Sequence, residues 1–577
     1  MPALGRHQRH PAADVGGRQD PQARAAQAVL GGQGAAGELS RRRRFAAAPI
    51  TSDATNRAPK GWNTAMTRSL GKMVVGNILA TAAIRFANDP ALYCAGTDRR
   101  FTFGQIDERT NRLAQGLSGL GYGKGDVVAF LCSNRAEMVE TYFALARTGI
   151  VGLPLNYRLA EREMIELIRA MGASGLIYEA RFAGVADAAR PLVRHRIRIG
   201  GEASSAEPDY EALLAGASSE APDIEIDEAD PFYFNLTSGT TGLPKSYVLN
   251  QYNNSTLGPM FQAFDMTRDD VAMTVFPAFG RVGFAWIAGA ILYGIPHVLA
   301  NFEPNETLAL IAAERVTIVN LVPTMAAMLL PALAAAPRDV TSLRAVVFAG
   351  SSLPASIREA TMAKLCPRLY EYYGMQETGA LVVSTPADRV RRPDSVGRPI
   401  AFGEVKIAGD DGRALPANQL GEILGRSPNA VTGYFDNPEQ SARTFRDGWI
   451  HTGDLGSLDD EGYLFIRGRK KDMIVTGGQN VHAAEVEEII LGCPGVADCA
   501  VFGLPDDMWG ERVVSLVVPQ DRADLTAEAL EAHCRQHLAG FKTPKQFIVE
   551  TTPLPRTPTG KVQKFLLVER FSQASVN

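Results

Sequence analysis

Residues 111–132 read NRLAQGLSGLGYGKGDVVAFLC, and this stretch decides the fold class. Its first half carries apolar residues at helical spacing, a Gly-Lys-Gly turn follows at 123–125, and DVVAFLC has the composition of a buried strand. The same order of helix and strand recurs at 137–156, 164–180 and 308–322. Such alternation is typical of βα units, in which helices cover parallel strands. The sequence therefore predicts an α/β protein with mostly parallel sheets.

Length and charge narrow the class of protein further. Of its residues, 46% are hydrophobic and 21% charged, which is ordinary for a globular protein. The chain has 577 residues and is therefore too long for a single core. The net charge of −4 comes from 59 basic and 63 acidic residues. This balance provides no overall field for nucleic acid or an anionic membrane, so we expect neither as a partner.

The cysteines carry no metal or disulfide pattern. Six of them are scattered without a CxxC pair or paired histidines nearby: Cys94, Cys132, Cys366, Cys493, Cys499 and Cys534. A reducing, cytoplasmic setting fits this usage best.

One apolar segment is long enough to raise the question of a membrane span. Residues 282–300 read VGFAWIAGAILYGIPHVLA and are nearly free of charge. Gly294, Pro296 and His297 interrupt the run, which favours a buried helix followed by a short core strand. We therefore predict no transmembrane segment.

The first 65 residues differ in composition from the rest. Up to residue 60 they contain nine arginines, four of them consecutive at 41–44, against four acids, and they lack apolar periodicity. We expect a disordered extension. It is interpreted as sequence upstream of a start at Met66, with a transit segment or a nucleic-acid-binding cluster as the alternatives.

A composition shift near residues 465–475 separates a small second domain. Residues 465–475, FIRGRKKDMIV, place five charges around a glycine, and the following hundred residues have their own helical and strand patterns. We predict a large domain over 66–468 and a mobile α+β domain over 469–577, joined by a hinge.

Residues 237–245, TSGTTGLPK, lie between the strand-like segments PFYFNL and SYVL. The two glycines leave backbone N–H groups unshielded, the hydroxyls add donors, and Lys245 adds a cation. This combination is typical of a phosphate cradle. It is not the GxxxxGK[ST] loop of other nucleotide-binding proteins, because Pro244 precedes the lysine.

Five further segments follow in order: AGSSLP at 349–354, YGMQE at 373–377, HTGD at 451–454, GRKKDMIVTGGQN at 468–480 and PRTPTGK at 555–561. With TSGTTGLPK, they make the chain similar to the AMP-forming adenylating enzymes, which include acyl-CoA synthetases, firefly-type luciferases and the adenylation domains of peptide synthetases. The resemblance covers roughly residues 70–570. It implies ATP and coenzyme A as co-substrates and Mg²⁺ as the cofactor.

The resemblance also implies the role of each site residue. Lys561 would contact the substrate carboxylate and the α-phosphate, and Glu377 would hold Mg²⁺. Asp454 would accept hydrogen bonds from the ribose hydroxyls, assisted by Arg469. The remaining nucleotide-binding candidates are Thr237, Ser238, Gly239, Thr240, Thr241, Gly242 and Lys245 for the leaving phosphates, with Thr237 and Lys245 also catalytic, Gly350, Ser351, Ser352 and Tyr373 around the base, and Gly374 and Gln376 elsewhere along the nucleotide, where the Gln376 amide can donate to a phosphate oxygen.

The resemblance implies a second half-reaction in which the small domain swings about a hinge. Lys471 occupies the hinge position, with an ordinary surface charge as the alternative, and Gly477 with Gly478 resembles the strand that lines the tunnel for the pantetheine arm. No carrier-like segment follows residue 570, so CoA is the expected acceptor. The alternatives are a ligase that loads a separate carrier protein, a luciferase-like oxygenase and a non-catalytic relative; a homodimer is left open.

The acid itself is poorly specified by the sequence. Candidate pocket residues are Phe279, Gly280, Arg281, Phe348 and Tyr372, a mixture suited to medium-chain, branched, cyclic or aromatic acids. Two positions depart from the family pattern. Gly280 stands where a histidine or aromatic is common, and Arg281 after it faces either the pocket or solvent. Gln376 replaces the usual threonine.

Overall fold

A computed structural model describes residues 71–201, 207–236, 246–521, 523–556 and 561–573. The predicted disorder of residues 1–65 and the predicted start at Met66 lie outside these ranges. Within them the chain forms four sheets with helices packed on their faces. The prediction of an α/β protein is confirmed.

The chain up to residue 250 forms all of a six-stranded sheet and two strands of a second sheet. Its strands are β1 Pro90–Cys94, β2 Arg99–Thr102, β3 Val127–Leu131, β4 Val151–Pro154, β5 Gly175–Glu179, β6 His195–Ile199, β7 Pro231–Leu236 and β8 Ser246–Asn250. Its helices are α1 Val75–Phe86, α2 Phe103–Gly119, α3 Ala136–Thr148, α4 Glu161–Ala170, α5 Ala183–Ala189 and α6 Tyr210–Ala215. The sheet order is β6-β5-β3-β4-β7-β8, and only the β7–β8 pair is antiparallel.

The next part of the chain completes a nine-stranded sheet. Its strands are β9 Ala272–Thr274, β10 His297–Leu299, β11 Ile318–Leu321, β12 Ala345–Phe348, β13 Leu369–Met375, β14 Gly379–Ser384 and β15 Arg398–Pro399. Its helices are α7 Gln251–Ser255, α8 Gly258–Gln262, α9 Arg281–Tyr293, α10 Pro304–Ala313, α11 Pro323–Ala335, α12 Ala355–Lys364 and α13 Pro386–Arg391. The order is β15-β14-β13-β12-β11-β9-β10-β1-β2, parallel from β13 to β1.

Two smaller sheets follow. The third is antiparallel throughout and contains β16 Glu404–Ala408, β17 Gly421–Arg426, β18 Phe445–Arg446, β19 Trp449–Leu458 and β20 Leu464–Arg469, with helix α14 Pro438–Thr444. The fourth contains β21 Met473–Thr476, β22 Gln479–His482, β23 Val496–Asp506, β24 Gly510–Pro519 and β25 Gln546–Val549, covered by α15 Ala483–Leu491, α16 Ala527–His537 and α17 Lys564–Gln573. A short helical turn, Lys470–Asp472, joins the two sheets beside the predicted boundary at 469.

The largest core lies between the two parallel sheets. Val128 and Phe130 of β3 and Val347 of β12 point into it from opposite sides, and helix α3, buried over its whole length, runs through it. Tyr142 of α3 and Phe284 of α9 have ring centroids 4.5 Å apart. Because the apolar segment 282–300 forms α9 and β10 inside this core, its prediction as helix and core strand is confirmed. Among the described residues, no helix has the length and hydropathy of a membrane span.

Candidate functional site

Those predicted nucleotide-binding residues that the structure describes lie on strands β13, β19 and β20 or shortly after β12 and β13. The nine residues of TSGTTGLPK, 237–245, are outside the described ranges. The roles predicted for seven of them therefore stay predictions: Thr237, Ser238, Gly239, Thr240, Thr241, Gly242 and Lys245. The strands on either side of this segment are paired, with Leu236 opposite Ser246. The two residues that flank the segment are therefore neighbours in the β7–β8 ladder.

A buried aspartate organises the predicted ribose group. Asp454 of β19 is 5% exposed, and its backbone N–H donates to Thr452 Oγ1 at 3.0 Å. The Tyr373 hydroxyl donates to Asp454 Oδ2 at 2.7 Å, and Arg469 Nε lies 2.9 Å from Oδ1. Arg469 is opposite Asp454 in the β19–β20 ladder, so strand register places this ion pair. Each carboxylate oxygen keeps acceptor capacity for a further hydroxyl.

The predicted magnesium ligand is also oriented by a tyrosine. Glu377 is 6% exposed, and its Oε1 accepts a 2.7 Å hydrogen bond from the Tyr434 hydroxyl. Burial beside Glu377 raises the pKa of the Tyr434 phenol, so the hydroxyl remains a donor. The backbone N–H of Val431 donates to the Glu377 carbonyl at 2.9 Å. The carboxylate is thus fixed at one oxygen.

Gln376, which departs from the family pattern, is held in a polar network. Its side-chain Oε1 accepts from Asn235 Nδ2 at 2.8 Å, and its carbonyl accepts from the Tyr247 hydroxyl at 2.7 Å. Asn235 is the last polar residue of β7 before TSGTTGLPK. The amide of Gln376 is therefore engaged with the protein, and it ties the YGMQE turn to the strand that leads into the phosphate segment.

The predicted base-binding residues lie beyond β12 and at the end of β13. Gly350, Ser351 and Ser352 directly follow β12 and are exposed, and Gly350 has a positive φ of 89°. Gly374 is required by a close approach, since a Cβ there would lie 2.0 Å from the Gly379 carbonyl oxygen. Ligands commonly bind at the carboxyl ends of parallel strands, and these residues occupy such an edge.

Lys561 brings the small domain to this group. As a residue it keeps contact with solvent, but the pKa of its amine is lowered, first by withdrawal from water and then by Arg469. The carboxylates of Asp454 and Glu377 act in the opposite direction, and Lys471 lowers the pKa further. All four charges therefore act on the pKa of the Lys561 amine. Lys471 itself is exposed, beside the strand end that carries Arg469.

The predicted tunnel glycines form a turn, not a strand. Gly477 and Gly478 have φ angles of 56° and 76° and connect β21 to β22, with Thr476 paired to Gln479. Two consecutive positive φ angles define the hairpin turn for which glycine is favoured. The prediction that these residues resemble a strand is wrong in this respect, because a strand needs negative φ.

The structure separates the predicted acid-pocket residues. Phe279 packs edge-on to Tyr157, with centroids 5.3 Å apart, and Tyr372 lies 5.9 Å from Phe264, both beside the largest core. The prediction that Phe348 lines the acid pocket is wrong. It is fully buried and points to the other face of β12, since successive residues of a strand alternate.

Arg281 satisfies neither of its two predicted placements. It is 7% exposed, so it does not point to solvent, and its two terminal nitrogens donate to the carbonyl oxygens of Gln376 and Asn429. The guanidinium is therefore directed at the main chain and not at a second polar group of the substrate. Gly280, just before it, caps α9 with φ −88°, and a Cβ there would meet only the Pro277 carbonyl at 3.5 Å.

Three polar residues of the site were missed from the sequence. Tyr434 and Asn429 lie in a segment without a recognisable motif, so nothing in the sequence pointed to them. Asn235 had a weak signal, because it is the one polar residue of PFYFNL. All three act by fixing the turn at residues 376–377.

Comparison with known proteins agrees with this geometry. The AMP-binding enzyme family matches residues 79–435, and the AMP-binding enzyme C-terminal domain matches residues 485–561. The chain is 34% identical to a feruloyl-CoA synthase of an Amycolatopsis species over 479 residues, 82% of this chain and 94% of that protein. It is 33% identical to the long-chain fatty acid–CoA ligase FadD13 of Mycobacterium tuberculosis over 482 residues, 82% and 94% of the two chains.

A solved structure of the anthranilate CoA ligase AuaEII in complex with anthranoyl-AMP has a similar fold. It superimposes with a TM-score of 0.80 and 27% identity, covering 87% of this chain and 98% of that chain. The match covers both domains. The chain therefore belongs to the AMP-binding enzyme family.

Proposed function

We propose that the protein is an ATP-dependent carboxylic acid–CoA ligase. It converts an acid and ATP to acyl-AMP and pyrophosphate, and then transfers the acyl group to CoA with release of AMP. Relatives named as ligases for feruloyl, long-chain fatty and indoleacetate acids support the reaction class.

The observation that carries the proposal is the electrostatic environment of Lys561. The charges of Asp454 and Arg469, in the predicted ribose group, and of Glu377, the predicted metal ligand, all act on the pKa of its amine. A cation among these residues is what the first half-reaction needs, because the substrate carboxylate approaches an α-phosphate of the same charge.

The first half-reaction follows from these charges. A carboxylate oxygen of the acid forms a bond to the α-phosphorus, and the bond from that phosphorus to the bridging oxygen breaks, so that pyrophosphate leaves with the electron pair. Lys561 neutralises charge where the two anions meet, and the Asp454 carboxylate holds the ribose. The tyrosine and arginine that fix Asp454 keep it in place without reorganisation.

The residues at Glu377 fit a magnesium ion. Mg²⁺ is commonly bound by one or two carboxylates together with substrate phosphates. Glu377 offers one carboxylate whose Oε1 is fixed by Tyr434. When bound, the ion would neutralise phosphate charge, while Glu377 and Tyr434 set where that charge is placed.

The second half-reaction uses the thiol of CoA. The sulfur forms a bond to the acyl carbon, the thiol loses its proton, and AMP leaves with the bond electrons. Lys561 must first move away from the adenylate, and the turn at 470–472 lies between the last strand of the third sheet and the first of the fourth. We place the hinge at Lys471, on the exposed side of this turn.

Incubation with ATP, Mg²⁺, CoA and a pooled set of aliphatic, cyclic and aromatic acids tests the proposal, with products read by mass spectrometry. An acyl-CoA identifies the reaction and the acid together. The matched control is Lys561→Ala, which should form neither product. Acyl-AMP without thioester contradicts CoA as acceptor, and neither species from the unaltered protein contradicts the ligase.

A second candidate differs only in the acceptor. The chain is 32% identical over 492 residues to a protein named fatty acid–[acyl-carrier-protein] ligase ScoC, which favours a carrier protein as the alternative thiol. Replacing CoA by a phosphopantetheinylated carrier protein in the same incubation distinguishes the two.

The cellular setting forms part of the proposal. All six cysteines are buried free thiols, which fits a reducing cytoplasm. We also retain the homodimer as a proposal, and light scattering of the purified protein tests it.

A further inference from the structure

Arg281 is a buried cation in an unfavourable position. It is the first residue of α9, where the helix dipole disfavours positive charge. It is 7% exposed, and no ion pair joins it to a carboxylate within the described parts of the chain. A buried charge without a counter-charge is costly, so something specific must hold the guanidinium there.

Two main-chain carbonyls hold it. One terminal nitrogen donates to the carbonyl of Gln376, the residue before Glu377, and the other to the carbonyl of Asn429. The planar fork of arginine can serve two acceptors at once, which the single ammonium of lysine does less well. Arg281 therefore clamps two segments that are distant in sequence.

Both segments support Glu377. The segment at Asn429 is anchored by its side chain, which donates to the Asn253 carbonyl at 2.8 Å. Ser427 Oγ donates to the Thr378 carbonyl at 2.6 Å, and the Val431 N–H donates to that of Glu377. The turn at 376–378 is thus fixed through the segment that Arg281 holds.

Phe279 and Gly280, two of the predicted acid-pocket residues, directly precede Arg281 in the chain. We propose that Arg281 is a positioning residue that sets the orientation of the Glu377 carboxylate from the acid-pocket loop, and does not bind the acid. The inference rests on the proposed function, since it takes Glu377 as the metal ligand.

The test compares Arg281→Met with Arg389→Met. Arg389 is also 7% exposed and bonds Glu371 of β13 at 2.7 Å, away from Glu377, so it controls for loss of a buried arginine. Calorimetry measures binding of α,β-methylene-ATP with and without Mn²⁺. The affinity with Mn²⁺ divided by the affinity without it reports the metal site. We expect Arg281→Met to reduce this ratio about ten-fold, as for residues that orient metal ligands, and Arg389→Met to leave it unchanged.

Each outcome decides a different point. An unchanged ratio in Arg281→Met overturns the inference. If that variant also binds the acid more weakly, Arg281 is a substrate contact. Failure of the unaltered protein to bind the analogue contradicts the proposed function instead. If circular dichroism shows that Arg281→Met is unfolded, Arg281→Lys makes the same comparison; if both are unfolded, Arg281 serves folding and the inference is overturned.

Discussion

The nucleotide side of the site and the acid side are built by different means. On the nucleotide side, charged groups are fixed by other polar side chains, as in the Tyr373–Asp454–Arg469 and Tyr434–Glu377 contacts. On the acid side, Phe279 makes a ring contact with Tyr157, and the guanidinium of Arg281 is turned to the main chain. On the proposed nucleotide side, hydrogen bonds therefore preorganise the charged groups, whereas the proposed acid side is built by aromatic packing.

Removal of the Lys561 charge should have the largest effect. We expect Lys561→Ala to lower acyl-AMP formation by about 10²–10³-fold, the range for loss of one charge-stabilising group. Thioester formation from supplied acyl-AMP should survive better, because Lys561 has moved away from the adenylate in that half-reaction. Separate assays of the two half-reactions check this. Lys542→Ala, in a lysine paired with Glu485 at 2.7 Å, is the control. An equal loss in both halves contradicts the role.

The pH dependence of the first half-reaction should report the same lysine. Burial and Arg469 lower the pKa of Lys561 from the ordinary 10.5, so its charge is lost at a lower pH than that of an exposed lysine. Since the protonated form is required, acyl-AMP formation should fall about ten-fold per pH unit above this pKa. Lys561→Arg should move the alkaline fall to higher pH at a lower overall rate. A fall that stays at the same pH in this variant would assign it to another group.

The grouping of the nucleotide-side candidates could be predicted because they belong to short motifs on or next to strands, while their roles stay predictions. Asp454 and Arg469 are fifteen positions apart, but the hairpin of β19 and β20 makes them neighbours. The parts that failed depend on direction and not on residue type. Phe348 points to the opposite face of its strand, and Gly477 with Gly478 turns the chain. Tyr434 reaches Glu377 only through tertiary packing, which a single sequence does not encode locally.

Tyr434 offers a test of preorganisation on the nucleotide side alone. Tyr434→Phe removes the donor to Glu377 Oε1 and leaves the ring contact with Phe445. We expect the Mg²⁺ concentration for half-maximal adenylation to rise about ten-fold, the lower range for residues that orient metal ligands. Relative rates among acids should not change. Tyr293→Phe, which removes a hydroxyl bonded to the Gly258 carbonyl at 3.0 Å, is the control. A shift in acid preference would mean that the two sides are not separate.

Gly280→His probes the acid side and should have the smallest effect. The backbone of Gly280 suits any residue, and a Cβ there meets only the Pro277 carbonyl at 3.5 Å, so the imidazole can be accommodated. We expect relative rates across an acid panel to change by about five-fold, on the order of 1 kcal/mol for steric discrimination in an apolar pocket, while the KM for ATP stays constant.

Gly283→Ala, in the first turn of α9, is the control for Gly280→His at the N-cap of the same helix. Its Cβ would lie 2.5 Å from the Pro277 carbonyl, so this substitution should lower the melting temperature instead of redirecting acid preference. Unchanged relative rates in Gly280→His would show that the loop at Gly280 does not form the acid pocket. In that case, the aromatic group at Tyr157 and Phe279 serves packing alone, and the selecting surface must be sought around Tyr372.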